Sequence, residues 1–147
     1  MTLEFFMPMD PPTVTHQEKQ IRVVRGKPIV YEPADLKAAR QKLMAHLAKH
    51  APEVPIAKGV PVELVSTWCY PTDDPARDAC LKTTKPDTDN MVKLLKDCMT
   101  AVGFWTDDAQ VCREITEKFW VMTTPPGIRI RVTEVRSCTG RNTARFA

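Results

Sequence analysis

Lys85-Pro86-Asp87-Thr88-Asp89-Asn90-Met91-Val92-Lys93 is the stretch on which the fold turns, because a polar approach becomes an amphipathic helix inside it. Asp87 and Asp89 stand two apart in extended chain, so their side chains can point the same way, as alternate strand residues do. Lys93 lies four beyond Asp89, one helical turn on and on the same face. Met91, Leu94, Leu95, Cys98 and Val102 recur at helical spacing and predict a buried stripe, and Gly103 is a good terminator. The expected helix therefore runs from Thr88 or Asp89 to Gly103.

Beyond the helix comes Trp105-Thr106-Asp107-Asp108-Ala109-Gln110, which adds two more carboxylates. A helix of about 14 residues carries the chain roughly 21 Å, and the steps from Gly103 to Asp108 can return about 17 Å if extended. Closure of Asp108 onto Asp87, Asp89 and Lys93 within one subunit is feasible but taut, and a site shared across a dimer is the alternative. Val111 to Val121 and Ile128 to Val135 then read as strands joined through Thr123-Thr124-Pro125-Pro126-Gly127 as a hairpin.

Upstream, Pro71 to Lys85 is a polar loop, and Val60 to Tyr70 alternates as a strand does. Pro33 opens a helix running to about His50, with an apolar stripe of Leu36, Ala39, Leu43 and Leu47 that should lie on a sheet. Gln20 to Val24 and Pro28 to Tyr31 flank Arg25-Gly26-Lys27, the tip of a basic hairpin, and Leu3 to Met7 is a first strand. The expected architecture is α+β, a single two-layer domain over residues 1–135, with a mixed sheet of about four to six strands and two main helices on one face. Residues 136–147 form a basic tail without apolar pattern, expected to be mobile.

The chain has 147 residues, enough for one domain with a real core. Its net charge of +3 is local: Arg136, Arg141 and Arg145 follow the last acid, and without them 18 basic residues balance 18 acids. A nucleic-acid partner then requires a basic patch and not a large global charge. No apolar run is long enough to span a bilayer, no basic segment precedes the short apolar start, and a cytoplasmic protein is expected. Five cysteines without a C-x-x-C pair argue against both a disulfide framework and a zinc ribbon.

Carboxylates held within a few ångströms repel, and a protein tolerates this when a proton or a cation neutralises them. Hard oxygen ligands with open positions suit Mg²⁺ or Mn²⁺, which keep several waters and take one or two carboxylates plus substrate phosphate. That arrangement cleaves phosphodiesters, with Lys93 adding positive charge to the transition state. D-x-D is common, however, and Asp89 could equally cap the helix, so spacing alone leaves both readings open.

K-P-D-x-D-N-x-x-K, an acid at Asp97, then G-x-W-x-D-D-x-Q-V resembles the signature of the RusA family of Holliday junction resolvases, most densely over Lys85 to Lys118. The resemblance implies a small homodimer that binds four-way DNA junctions and nicks two opposing strands with Mg²⁺, Mn²⁺ being able to substitute. It makes Asp87, Asp89 and Asp108 the metal-binding carboxylates and Lys93 the catalytic lysine, with Asp107, Asn90 and Asp97 as supporting residues. It leaves open a cellular or a prophage origin and the preferred cutting sequence. Rival readings are a nuclease for other branched DNA, and a catalytically idle DNA-binding accessory protein.

Among lesser signals, Arg25, Lys27, Lys82, Lys85, Arg113 and Lys118 are candidate phosphate contacts around the site and the hairpin. Trp68, Trp105 and Trp120 read as core before they read as base-stacking platforms. His46 and His50, four apart on a helix but with no third ligand in sight, read as ordinary residues beside the apolar stripe.

Overall fold

Strand β4 (Val62–Pro71) sets the layers: Val62, Leu64, Ser66, Trp68 and Tyr70 are buried while the residues between them are half-exposed. In the computed structural model, which describes residues 1–15 and 20–136, this strand is central to a four-stranded sheet. The sheet order is β1 (Thr2–Pro8), β6 (Gly127–Glu134), β4, β5 (Val111–Val121). β1 and β4 run antiparallel to β6, and β5 runs parallel to β4. A parallel pair needs a crossover, and helix α2 (Thr88–Val102) supplies it. The mixed α+β architecture expected from the pattern is the one observed.

The expected hairpin between the last two strands is not formed. β5 and β6 are separated by β4, which pairs with both. Two strand spacings are only about 10 Å, which the stretch between them crosses without difficulty. Asp78 fastens that crossing, since its carboxylate accepts from Met122 N (2.8 Å), Thr123 N (3.4 Å) and Thr123 Oγ1 (2.7 Å). These bonds, the Met122 amide first, hold the carboxyl below its ordinary pKa. β6 begins at a glycine because a Cβ there would collide with the Met7 carbonyl and the Phe6 ring.

Strands β2 (Gln20–Val24) and β3 (Lys27–Tyr31) form a separate two-stranded ribbon. Its turn places Arg25 at φ 51° and Gly26 at φ 75°, the pair of positive values that a two-residue hairpin loop requires. Helix α1 (Ala34–Ala48) follows, with Pro33 at its N-cap. Leu36, Leu43 and Leu47 are buried in the core that the sheet's inner face also lines, Ala39 is half-buried, and α2 is the helix's main neighbour. His50, just past α1, stacks on Phe5 of β1 with ring centroids 4.3 Å apart, so that histidine packs as an ordinary residue.

Helix α2 buries Met91, Val92, Leu94, Leu95, Cys98 and Met99. It ends at Gly103 (φ 91°), with Gly103 N bonded to Thr100 O and Phe104 N to Met99 O, the paired bonds that satisfy the last carbonyls. Phe104 and Trp105 then drop into the core, and Trp105 Nε1 donates to Thr100 Oγ1 at 2.8 Å. No helix of the described residues is long and apolar enough to cross a membrane. The basic tail expected over 136–147 lies, beyond Arg136, outside the described residues.

Candidate active site

Asp87 is the N-cap of α2 in extended conformation (φ −75°, ψ 143°), and its backbone carbonyl accepts from Met91 N at 3.1 Å. Its side chain makes no capping bond. The alternative reading of Asp89 as the helix cap does not hold, because the N-cap position falls to Asp87. Asp89 sits in the first turn, where a negative charge favours the helix dipole. Neither carboxylate forms a hydrogen bond or ion pair among the described residues, and both are exposed.

One turn on, Lys93 Nζ lies 3.2 Å from Asp97 Oδ1 and 3.6 Å from Asp108 Oδ2. The hydrogen bond and charge of Asp97, with Asp108 adding to them, raise the lysine's pKa above its ordinary value. Both contacts favour the ammonium form of Lys93. The contact to Asp108 also answers the closure question for this pair: the return loop brings Asp108 to Lys93 within one subunit, anchored on the way by buried Phe104 and Trp105. Asp89, Lys93 and Asp97 form one stripe along α2, facing the loop that carries Asp108.

The two acids of the return loop are unlike. Asp107 caps the short 3-10 turn Asp108–Gln110, accepting from Ala109 N at 3.0 Å, and completes a capping box with Gln110. Asp108 is its first residue and turns to Lys93. Asn90 is half-buried and makes no side-chain hydrogen bond among the described residues.

The sequence led us to expect the carboxylates to converge around a common ion. Among the described residues no group of three or more acidic, histidine or cysteine side chains closes around one point. The donor chemistry nonetheless fits a hard cation: Asp87 and Asp89, at the start of the helix that carries Lys93, offer exposed oxygens unengaged among the described residues. An ion that keeps most of its waters and takes one or two carboxylates requires no preformed cage.

A family model described as Endodeoxyribonuclease RusA matches residues 9–133. The chain belongs to the RusA family. A crossover junction endodeoxyribonuclease of Lactococcus phage r1t is 34% identical over 111 residues, covering 76% of this chain and 83% of that protein. The match spans every element from the Pro-rich loop after β1 to the end of β6, so the acids and lysine sit in the matched region.

The basic residues of this RusA-family chain divide. Arg25, Lys27 and Lys85 are exposed and remain suited to phosphate. Lys82 does not: it is 6% exposed, with its ammonium donating to Thr84 O (3.2 Å), Thr84 Oγ1 (2.6 Å) and Lys85 O, beneath the rings of Tyr70 and Trp120. Burial lowers its pKa, and the carbonyls take up its donors. Lys118 is half-buried and likewise committed, donating to Thr84 O (2.6 Å) and Pro86 O (2.5 Å). Arg113 pairs with Glu63 at 3.1 Å on the open face of the sheet, away from the helices. All three are engaged with groups of their own chain.

Three residues had been given no role from the sequence. Glu114 and Thr116 of β5 line a small cleft with Thr88, Asp89 and Val92, and Glu114 is held by Lys96 at 3.0 Å. Thr116 Oγ1 is buried without a hydrogen-bond partner among the described residues. Their signal was register: they pair with Leu64 and Ser66 of β4, whose side chains face the core, so polar residues occupy a face that should be apolar. The third, Gln110, is buried at the base of the return loop.

Proposed function

We propose that this chain is a metal-dependent crossover junction endodeoxyribonuclease that resolves four-way DNA junctions by paired symmetric nicks, acting in the cytoplasm as a homodimer. A twofold dimer would set two sites against two opposing strands of a twofold junction. The observation that carries the reading is the placement of Asp108 against Lys93, one helical turn from Asp89, in a chain of the RusA family.

Asp87, Asp89 and Asp108 would hold Mg²⁺, or Mn²⁺ in its place, and the ion when bound activates a water and shares charge on the phosphoryl oxygens. Lys93, kept as an ammonium by Asp97 and Asp108, presents positive charge where the transition state gathers negative charge. Asp97 orients the lysine and Asp107 shapes the turn that presents Asp108. The exposed Arg25 and Lys27 at the ribbon's tip, with Lys85, are the backbone contacts.

The test is cleavage of a synthetic four-way junction with Mg²⁺ or Mn²⁺, beside flap and linear duplex controls. Wild type should cut the junction in opposing strands, and Asp89→Asn should abolish cutting while binding the junction at least as well, since it loses a ligand and a charge that repels phosphate. Equal cutting of flaps and junctions would reassign the substrate. Binding without cutting by wild type would make the chain an accessory protein.

A further inference from the structure

Among the described residues, Gln110 is the one buried side chain whose bonds run between the loop that carries Asp108 and a separate part of the chain. It is 8% exposed, and its amide is used completely. Oε1 accepts from Thr106 N and from Asp107 N, both at 3.0 Å, and Nε2 donates to Ala57 O at 2.8 Å and Val60 O at 3.1 Å. An amide has two acceptor lone pairs and two donors, and all four are satisfied here. Because N–H groups lie on one side and carbonyls on the other, the orientation of the amide is unambiguous. Thr106 Oγ1 adds a bond to Ile56 O at 3.3 Å, and Ile56 N donates to Phe104 O at 3.0 Å.

We infer that Gln110 is a positioning residue: it clamps the Thr106–Asp108 turn to the Ala57–Val60 loop and thereby fixes Asp108 against Lys93, so that metal binding depends on it. This rests on the reading of Asp108 as a metal ligand. The reasoning is geometric. Asp108 follows directly on the two amides that Gln110 holds, and it stands at the start of a single 3-10 turn, too short to hold its own direction. The other end of the clamp, residues 57–60, is tied to the strand that begins at Val62. Gln110 therefore transmits the sheet's rigidity to a carboxylate on a loop. Residues that orient metal ligands in this way typically alter metal affinity or activity by about 10- to 100-fold when replaced.

The experiment compares wild type, Gln110→Met and Leu43→Ala, a core variant in α1 remote from the site. Mn²⁺ binding to the full chain without DNA is measured by titration, junction affinity without divalent metal by gel shift, and amide hydrogen exchange at Thr106 and Asp107. Gln110→Met should weaken Mn²⁺ binding by about 10- to 100-fold, speed exchange at both amides, and leave junction affinity unchanged. Leu43→Ala, though less stable than wild type, should bind Mn²⁺ as wild type does. Should Gln110→Met not fold, Gln110→Glu keeps the volume and both acceptor bonds but sets a carboxylate against the Ala57 and Val60 carbonyls, and should lose Mn²⁺ affinity in the same direction. Wild-type Mn²⁺ affinity in a folded Gln110 variant would reduce Gln110 to packing while leaving the nuclease reading intact. Absence of Mn²⁺ binding in wild type would sink both.

Discussion

The arm that carries Asp108 and the arm that carries Asp87 reach the site by opposite physical means. The Asp108 arm is anchored from below by apolar burial: Phe104 and Trp105 are essentially inaccessible, and Gln110 closes the turn above them. The Asp87 arm relies less on burial, since Pro86 is the one buried residue of its approach over 84–86. Its approach, residues 84–86, is held through backbone carbonyls by the ammonium groups of Lys82 and Lys118, while Asp87 and Asp89 themselves stay exposed and unengaged. One arm is fixed chiefly by buried rings and the other chiefly by lysine hydrogen bonds to its carbonyls. The difference suits a site with one acid held in place and two able to close on a hydrated cation.

Breaking the apolar anchor should have the largest effect. Trp105→Ala removes a buried ring and the bond to Thr100 Oγ1, and should lower stability by about 3–5 kcal/mol, measured by urea denaturation. A loss below about 1 kcal/mol would mean that the return loop is held by something other than its aromatic pair. The charged anchor is weaker. Lys118→Met keeps the apolar stem, frees the Pro86 carbonyl and leaves the Thr84 carbonyl with Lys82 alone, so stability should fall by about 1–2 kcal/mol. Cleavage should fall further than that loss explains, because the Asp87 approach loosens. Full activity in a Lys118→Met chain of reduced stability would dissociate the loop from the site.

These arms also show what the amino-acid order disclosed. The relation of Asp89 to Lys93 was legible because it is local: a four-residue spacing within a helix places them on one side whatever the rest of the fold does, whereas the strand-like alternation expected of Asp87 and Asp89 does not apply, since the helix begins at Thr88 and Asp89 lies in its first turn. The helices, β4 and the basic ribbon were legible for the same reason. Strand order was not, since β5 and β6 choose β4 over each other through pairings remote in sequence. Lys82 looked like a phosphate contact because lysine is rarely buried, and only the fold reveals the carbonyls and rings that satisfy it. Gln110 stood in the quoted motif without a role, because its partners at 57 and 60 are remote from it in sequence.

The smallest expected effect separates the two faces of the sheet. Arg113 is bonded to Glu63, which also lies 3.8 Å from Arg131, on the side away from α2. Exposed pairs of this kind contribute about 0–1 kcal/mol, and Arg113→Ala should change neither stability nor junction affinity measurably. Arg25→Ala and Lys27→Ala, at the exposed ribbon tip, should instead weaken junction binding and each lower the slope of log affinity against log salt by about one. The slope is the decisive quantity, because a residue that merely supports the fold weakens binding without altering the number of ions released. If Arg113→Ala changed the slope and the ribbon variants did not, DNA would lie across the open face of the sheet, and the stripe on α2 would be turned away from its substrate.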